Sequence, residues 1–256
     1  MSTAEKVRMN IRRMKPGTVF LVSDLPTYSE EKRATVKAVS YYASSEKFKE
    51  KYGSVNKIAD GLYYKEEEGF LGKLPPSYDA VLYALTFVKN KKVGFVTGHK
   101  LFNVKGLSTQ VPAITTVVTS KKAPTLVNIA GIKIEVIRKT KKIKENDIKR
   151  YEFEYILNNL ERVQSIESEK ISDSLSDYIE LIKNDHRQFK ELYSHLHYKK
   201  TKALLGALIE DYQEKNNENF ESLLTEIKKD LSTRSKYRLG HLSSYINHRK
   251  EWNIEF

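Results

Sequence analysis

The stretch KPGTVFLVSDLP, residues 15–26, decides how the N-terminal part of the chain folds. Its first three residues, Lys-Pro-Gly, stop a helix that the spacing of Val7, Ile11 and Met14 predicts before it. Residues 18–22 are mostly β-branched or aromatic, and they predict a short strand after the turn. The chain is thus expected to begin with a helix that turns sharply into a strand.

The rest of this stretch and the residues after it predict two further helices. Ser23 and Asp24 have side chains suited to the N-cap of a brief second helix, which Pro26 closes early. A third helix follows, with Ser29 as its N-cap. Alanine and valine residues between positions 34 and 39 give this helix an apolar side.

A β-hairpin is expected after the third helix. Residues 55–58 and 62–64 are short β-prone runs on either side of an Asp-Gly step at residues 60–61, which is a hairpin signal. The intervening string SSEKFKEKYGS, residues 44–54, predicts an added turn or helix. Three helices followed by a hairpin predict that residues 1–72 form a winged helix-turn-helix DNA-binding domain.

Two further segments follow the hairpin. The breaker residues LPPS, residues 74–77, place a boundary near residue 72, so that residues 1–72 are expected to fold independently. Residues 73–144 combine a helix that starts at Ser77 with several β-branched runs and predict a basic α+β module. These runs span residues 93–96, 115–119, 125–129 and 132–137. Residues 145–256 have a period near 3.6 and predict an all-helical C-terminal region, so the fold class is α+β.

The composition excludes several classes of protein. The 256 residues include no cysteine, which excludes disulfides, thiolate nucleophiles and cysteine-ligated metal sites. No apolar run approaches the ~18 residues that span a bilayer, and the first residues lack the features of a secretory signal. We therefore expect a soluble cytoplasmic protein that needs no cofactor.

The formal net charge of +12 is unevenly distributed. Residues 73–144 contain 14 Lys/Arg against 2 Asp/Glu, whereas residues 1–72 contain 13 against 10 and residues 145–256 contain 18 against 21. Basic residues gathered on one surface attract phosphate and release counterions. The asymmetry favours a polyanionic partner.

The predicted third helix carries the candidate DNA contacts. Arg33 suits a bidentate contact to guanine, and Thr35 suits a thymine methyl group or a phosphate. Ser29, at the start of this helix, is a further candidate contact. Phosphate contacts are expected from basic residues that precede the motif, lie on this helix or lie on the wing: Arg12, Arg13, Lys15, Lys32, Lys37 and Lys57. The alternative is that the charged helix is simply a solvated face, which Glu30 and Glu31 favour.

Five strings in a fixed order resemble the AbiEi-type antitoxins of toxin–antitoxin and phage-defence operons: KPGTVFLVSDLP, NKIADGLYYK, GKLPPS, GFVTGHKLFNVKGLSTQVP and IAGIKIEVIRK. They span residues 15–139, and the longer junction at residues 44–54 departs from the family pattern. The resemblance implies a winged-helix transcriptional regulator that represses its own operon, with a dimer on an inverted-repeat operator as one arrangement. It also implies an antitoxin that neutralises a toxin of the nucleotidyltransferase type.

The basic middle segment supplies a second candidate surface. The residues expected to bind a partner there are Lys91, Lys92, His99, Lys100, Lys105, Lys121 and Lys122. The partner is the toxin, the RNA substrate of the toxin, or flanking DNA phosphates. The alternative is that these lysines solvate exposed strand edges, where lysine commonly blocks aggregation.

An enzymatic function is the alternative from a different class. Arg234 and His241 have a spacing that resembles the Arg and His pair of HEPN-type ribonucleases, in which the histidine acts in acid–base chemistry on RNA. His195 and His197 are two residues apart, which places them on different faces of a helix and argues against a shared metal. With no convergent catalytic set in the sequence, we expect no enzymatic activity and no metal site.

Overall fold

The structure is a computed structural model, and it describes residues 1–70, 72–163, 166 and 171–256. The chain forms two compact units: unit 1 comprises residues 1–96 and 113–145, and unit 2 comprises residues 97–112 and 146–256. The fold is mixed α+β with a helical C-terminal region, as the sequence predicts. The prediction that this region is all-helical is wrong, because the short segments Tyr237–Arg238 and Ile254–Glu255 pair as parallel strands. Among the described residues, we find no helix with the length and apolarity needed to cross a bilayer.

The first part of unit 1 contains α1 (Thr3–Arg13), β1 (Val19–Leu21), α2 (Thr27–Glu30), α3 (Lys32–Ser44), α4 (Glu46–Tyr52), β2 (Val55–Ala59) and β3 (Leu62–Lys65). The strands pair antiparallel in the order β1-β3-β2, with Phe20 opposite Tyr63. Helix α3 packs against α1 and α2. The predicted first helix, first strand, third helix and hairpin are confirmed.

The connection between β1 and α3 differs from the prediction. Residues 22–24 form a 3-10 turn, and Pro26 precedes α2 instead of closing a helix. Proline is tolerated there because the start of a helix needs no backbone N–H donor. Ser29 lies inside α2, where its Oγ donates to the carbonyl of Pro26 at 3.0 Å, and Glu31 is the N-cap of α3. The prediction that Ser29 caps the third helix is wrong, because its hydroxyl is used within α2.

The second part of unit 1 contains β4 (Glu67–Gly69), β5 (Gly72–Leu74), α5 (Tyr78–Thr86), β6 (Phe87–Val88), β7 (Lys91–Lys92), β8 (Gly94–Thr97), β9 (Ile114–Thr119), β10 (Leu126–Ile129) and β11 (Ile132–Arg138). Four strands form a sheet in the order β10-β11-β9-β8, in which β11 is antiparallel to β10 and parallel to β9. The Oγ of Ser77 caps α5 by accepting from the N–H of Ala80. The helix at Ser77 and the strands of the middle segment are confirmed.

Strands β1 and β3 contribute buried residues to both faces of their sheet. Phe20 and Tyr63 belong to the core formed with α1, α3 and α4. Leu21 and Leu62 point the other way and join a core formed with α5, β9, β10 and β11. Successive strand residues face opposite sides, so one short strand supplies both cores. The boundary predicted near residue 72 consequently crosses a shared core rather than separating the two compact units.

Unit 2 contains α6 (His99–Val104), α7 (Ile148–Asn159), α8 (Ile171–Ser174), α9 (Ser176–Asn184), α10 (His186–His195), α11 (Lys199–Asn216), α12 (Glu221–Asp230), β12 (Tyr237–Arg238) and β13 (Ile254–Glu255). Helix α11 is buried around most of its circumference, which is typical of the central helix of a bundle. Leu101 and Phe102 of α6 belong to the same core as α11. Gly206 of α11 lies directly against the ring of Trp252, which is 2 % exposed.

Candidate nucleic-acid interface

The division into two units concentrates the positive charge. Unit 1 contains 25 Lys/Arg and 13 Asp/Glu, whereas unit 2 contains 20 of each. Unit 1 therefore accounts for the whole net charge of +12. A net positive charge of this size favours interaction of a polyanion with unit 1 over unit 2.

Helix α3 presents one buried and one exposed face. The buried face consists of Thr35, Ala38, Val39 and Tyr42. The exposed face contains side chains three or four positions apart, which lie in one stripe along the helix: Arg33, Val36, Lys37, Ser40 and Tyr41. The stripe combines two cations, an apolar branch, a hydroxyl and an aromatic ring, all of which suit contact with nucleic acid.

The buried face holds α3 in a defined position. Val39 is fully buried in the core that includes Val7 and Ile11 of α1. The hydroxyl of Tyr42 donates to the carbonyl of Ala4 at 2.7 Å, and its ring stacks on Phe48 of α4. The extra segment at residues 44–54, predicted as a turn or helix, is thus a helix that braces α3. A rigid support of this kind is what a reading helix requires.

Thr35 is removed from the predicted DNA contacts. Its side chain is completely buried, and its Oγ1 has no hydrogen-bond partner. It faces the helical core because the phase of α3 places positions 35, 38, 39 and 42 together. Val36, the next residue, is 43 % exposed and lies on the exposed face of α3, where Thr35 had been expected.

The basic residues near the end of α1 are exposed: Arg12, Arg13 and Lys15. Lys65, which the sequence did not single out, lies beneath this helix end. Its ammonium donates to the carbonyls of Ile11, Arg12 and Met14 at 3.3, 3.1 and 2.8 Å, and burial lowers the pKa of Lys65. Lys65 thereby satisfies carbonyls that a helix end leaves without partners, while the side chains of Arg12, Arg13 and Lys15 remain available to solvent.

Lys57 lies on the β2-β3 hairpin, as predicted, but it has an acidic neighbour. Its Nζ is 2.6 Å from Oδ1 of Asp60, and the hydrogen bond and charge of Asp60 raise the pKa of Lys57. Both side chains are more than half exposed. An exposed pair of this kind is weak and leaves the lysine able to exchange its partner for a phosphate.

The seven predicted partner-binding residues are divided between the two units. Lys91, Lys92, Lys121 and Lys122 belong to unit 1. His99, Lys100 and Lys105 belong to unit 2, where the Nζ of Lys105 lies 4.4 Å from the ring centroid of Tyr178. The sequence placed them together because they are close along the chain, but residues 97–112 fold with the C-terminal helices.

Lys121 is not available to a partner. Its side chain is 4 % exposed, and its ammonium donates to Oδ2 of Asp24 at 2.9 Å, to the carbonyl of Phe87 at 2.7 Å and to the carbonyl of Ala84. Burial lowers the pKa of Lys121, and the charge of Asp24 opposes that effect. The three donors of the ammonium are used inside unit 1, so assigning Lys121 to an exposed site is wrong.

Lys122 lies beside the start of α3 instead of on a separate surface. Its Nζ is 5.6 Å from the ring centroid of Tyr28, and the Nζ of Lys32 is 6.0 Å from the same centroid. Cation–π contacts with one ring therefore join a lysine of the middle segment to the first residue of α3. Tyr28 and Tyr41 were missed at the sequence level, although aromatic residues between lysines are a recognised feature of nucleic-acid-binding surfaces.

Arg234 and His241, the pair of the enzymatic alternative, lie outside α-helices. Arg234 is exposed in the loop after α12, and His241 lies in a 3-10 segment where its Nε2 is 2.8 Å from the carbonyl of Val163. His195 forms a pair with Glu154, and His197 follows α10. Within the described ranges, no group of three or more His, Asp and Glu side chains is arranged to hold a metal ion. The geometry offers no support for the ribonuclease hypothesis.

The comparison with protein families gives one match. The model of a family of unknown function, DUF6088, matches residues 6–188, which include all of unit 1 except its first five residues. No curated protein and no solved structure matches the chain.

Proposed function

The chain belongs to DUF6088, a family of unknown function, and we propose that unit 1 binds DNA as a winged helix-turn-helix. The element order of three helices followed by an antiparallel hairpin supports this proposal, with α3 as the helix that enters the major groove. The loop β2-β3 then approaches the neighbouring groove as the wing.

The observation that carries the proposal is the exposed stripe of α3 within the unit that holds all the net charge. Arg33 and Lys37 lie in the N-terminal half of α3, which is the part of a reading helix that meets base edges. Arg33 suits guanine, and Val36 takes over the contact with a thymine methyl group that had been expected of Thr35. Lys32 and the basic residues at the end of α1 supply phosphate contacts.

The regulatory role follows from the AbiEi resemblance. We propose that the chain represses its own operon and neutralises a partner toxin of the nucleotidyltransferase type. DNA binding by unit 1 supplies the repression. Toxin neutralisation is a separate output, and the resemblance alone supports it.

The proposal is tested with the full chain and a duplex taken from the region upstream of its own gene. The variant Arg33→Ala/Lys37→Ala is compared with Lys190→Ala/Lys229→Ala, which removes the same charge from exposed positions of unit 2. We expect the α3 variant to bind about ten- to a hundred-fold more weakly, since a base contact contributes about 1–3 kcal/mol, while the control binds like the wild type. Equal affinities of the α3 variant and the wild type contradict the proposal.

A further inference from the structure

A pocket of 410 Å³ lies in unit 1. Its polar lining consists of three lysines and three hydroxyl residues, together with the carboxylate of Asp24: Lys121, Lys122, Lys142, Ser23, Ser120 and Thr140. They come from segments far apart in sequence, which the fold of unit 1 brings together. The volume is within the range of roughly 300–1,000 Å³ that is typical of small-ligand sites.

The charges of the pocket are only partly compensated. Asp24 pairs with the buried ammonium of Lys121, so these two groups neutralise each other and form a fixed part of the wall. Lys122 and Lys142 are exposed, and neither forms an ion pair with a carboxylate of the described residues. The pocket therefore has two cations without acidic partners beside hydroxyl groups. Ammonium and hydroxyl donors are the groups with which proteins bind phosphate oxygens.

The pocket lies close to the start of α3. Lys122 contributes to its wall and also contacts the ring of Tyr28, and Lys32 of α3 contacts the same ring. The Nζ of Lys32 lies 6.0 Å from that ring centroid and the Nζ of Lys122 lies 5.6 Å from it. The sum of these two distances is the upper limit on the separation of the two ammonium groups. A DNA strand carries one phosphate per about 3.4 Å of helix axis, so both ammonium groups lie within reach of the same short stretch of one strand.

We infer that this pocket binds a phosphate group, and that the phosphate belongs to the backbone of the DNA strand next to the bases read by α3. The inference rests on the proposed function. Lys122 and Lys142 bind the phosphate oxygens with the hydroxyls of Ser23 and Thr140. Asp24 and Lys121 act as a positioning pair that holds the wall in place. The DNA footprint therefore extends beyond the helix-turn-helix onto residues 120–142.

The test measures DNA affinity of the full chain as a function of salt concentration. For Lys122→Gln/Lys142→Gln, we expect the slope of log affinity against log salt to become shallower by about 0.9, since the variant loses its contact with one phosphate. The control Lys190→Gln/Lys229→Gln is expected to leave the slope unchanged. Inorganic phosphate titrated into the wild type and the pocket variant by calorimetry distinguishes a free phosphate from a backbone phosphate.

Each outcome decides a different point. The inference is supported if the salt dependence becomes shallower for the pocket variant Lys122→Gln/Lys142→Gln and stays unchanged for the control Lys190→Gln/Lys229→Gln. An unchanged slope, together with weaker binding by Arg33→Ala/Lys37→Ala, overturns the inference and leaves the proposed function intact. Wild-type binding of inorganic phosphate that the pocket variant loses, with unchanged DNA affinity, overturns the DNA assignment in favour of a free phosphate ligand. If neither the pocket variant nor Arg33→Ala/Lys37→Ala changes DNA binding, both the inference and the proposed function fail.

Discussion

Replacing Lys121 by methionine tests the finding that this lysine is a buried structural group. Methionine keeps the aliphatic stem and removes the ammonium, so the carboxylate of Asp24 and the carbonyls of Ala84 and Phe87 lose their shared donor. Breaking a buried ion pair costs about 3–5 kcal/mol. Water reaches Asp24, whose side chain is 30 % exposed, and solvates part of the unpaired charge. We therefore expect a loss near the lower end, about 3 kcal/mol.

The matched control for this change is Lys122→Met at the next position. Its side chain is exposed, so the expected change in unfolding free energy is within about 0.5 kcal/mol. The double variant Asp24→Asn/Lys121→Met leaves no unpaired carboxylate, and we expect it to be more stable than the sum of the single losses predicts, by at least about 1 kcal/mol.

Urea unfolding followed by circular dichroism measures these differences, provided that the dependence on urea is the same for all variants. The reasoning is refuted if Lys121→Met loses no more stability than Lys122→Met. It is also refuted if the double-mutant cycle gives no coupling between Asp24 and Lys121.

Three further predictions concern the folding of the two units. The fragment 1–72 is expected to be unfolded when it is measured by circular dichroism. It exposes Leu21 and Leu62, whose burial stabilises the full chain by about 1.5–3 kcal/mol each. A cooperative unfolding transition in this fragment contradicts the shared core. Gly206→Ala places a Cβ directly against the ring of Trp252, so we expect the free energy of unfolding to fall by about 1–2 kcal/mol and tryptophan fluorescence to change. Unchanged values of both argue against this contact. Hydrogen bonds from Lys199 and Lys202 lower the pKa of Asp230 in the folded chain, so its stabilising contribution is present at neutral pH and is lost as pH falls below the ordinary aspartate range. Thermal unfolding at pH 7 and pH 3, values chosen on either side of an ordinary aspartate pKa of about 3.9, should show a smaller acid effect in Asp230→Asn, and equal effects in both proteins count against the assignment.

The elements with local signals could be predicted from the sequence. The turn at residues 15–17, the hairpin around the Asp-Gly step at residues 60–61 and the cap at Ser77 depend on residues only a few positions apart. Helix α2 was misplaced because Pro26 is compatible with both the end and the beginning of a helix. The neighbouring residues alone do not decide between the two.

The candidate site was harder to predict, because it depends on contacts between distant segments. Thr35 and Val36 have similar sequence surroundings, and only the packing of α3 on α1 decides which of them is buried. Lys121 is indistinguishable from Lys122 in the sequence, yet the carboxylate of Asp24, 97 positions earlier, accepts a hydrogen bond from the ammonium of Lys121 inside unit 1. The charge distribution along the sequence agrees with the net charge of unit 1, but it does not show which lysine side chains are exposed.

The most direct test of DNA reading by α3 is site-specific photo-crosslinking. Val36 lies in the exposed stripe of α3, and replacing it with p-benzoylphenylalanine places a reactive group there without changing the net charge. The exposed Tyr198 of unit 2 is replaced in the same way as the control. The account predicts that irradiation with the upstream duplex attaches position 36, and not position 198, to bases in the major groove. Crosslinks from position 198 with none from position 36 would contradict it.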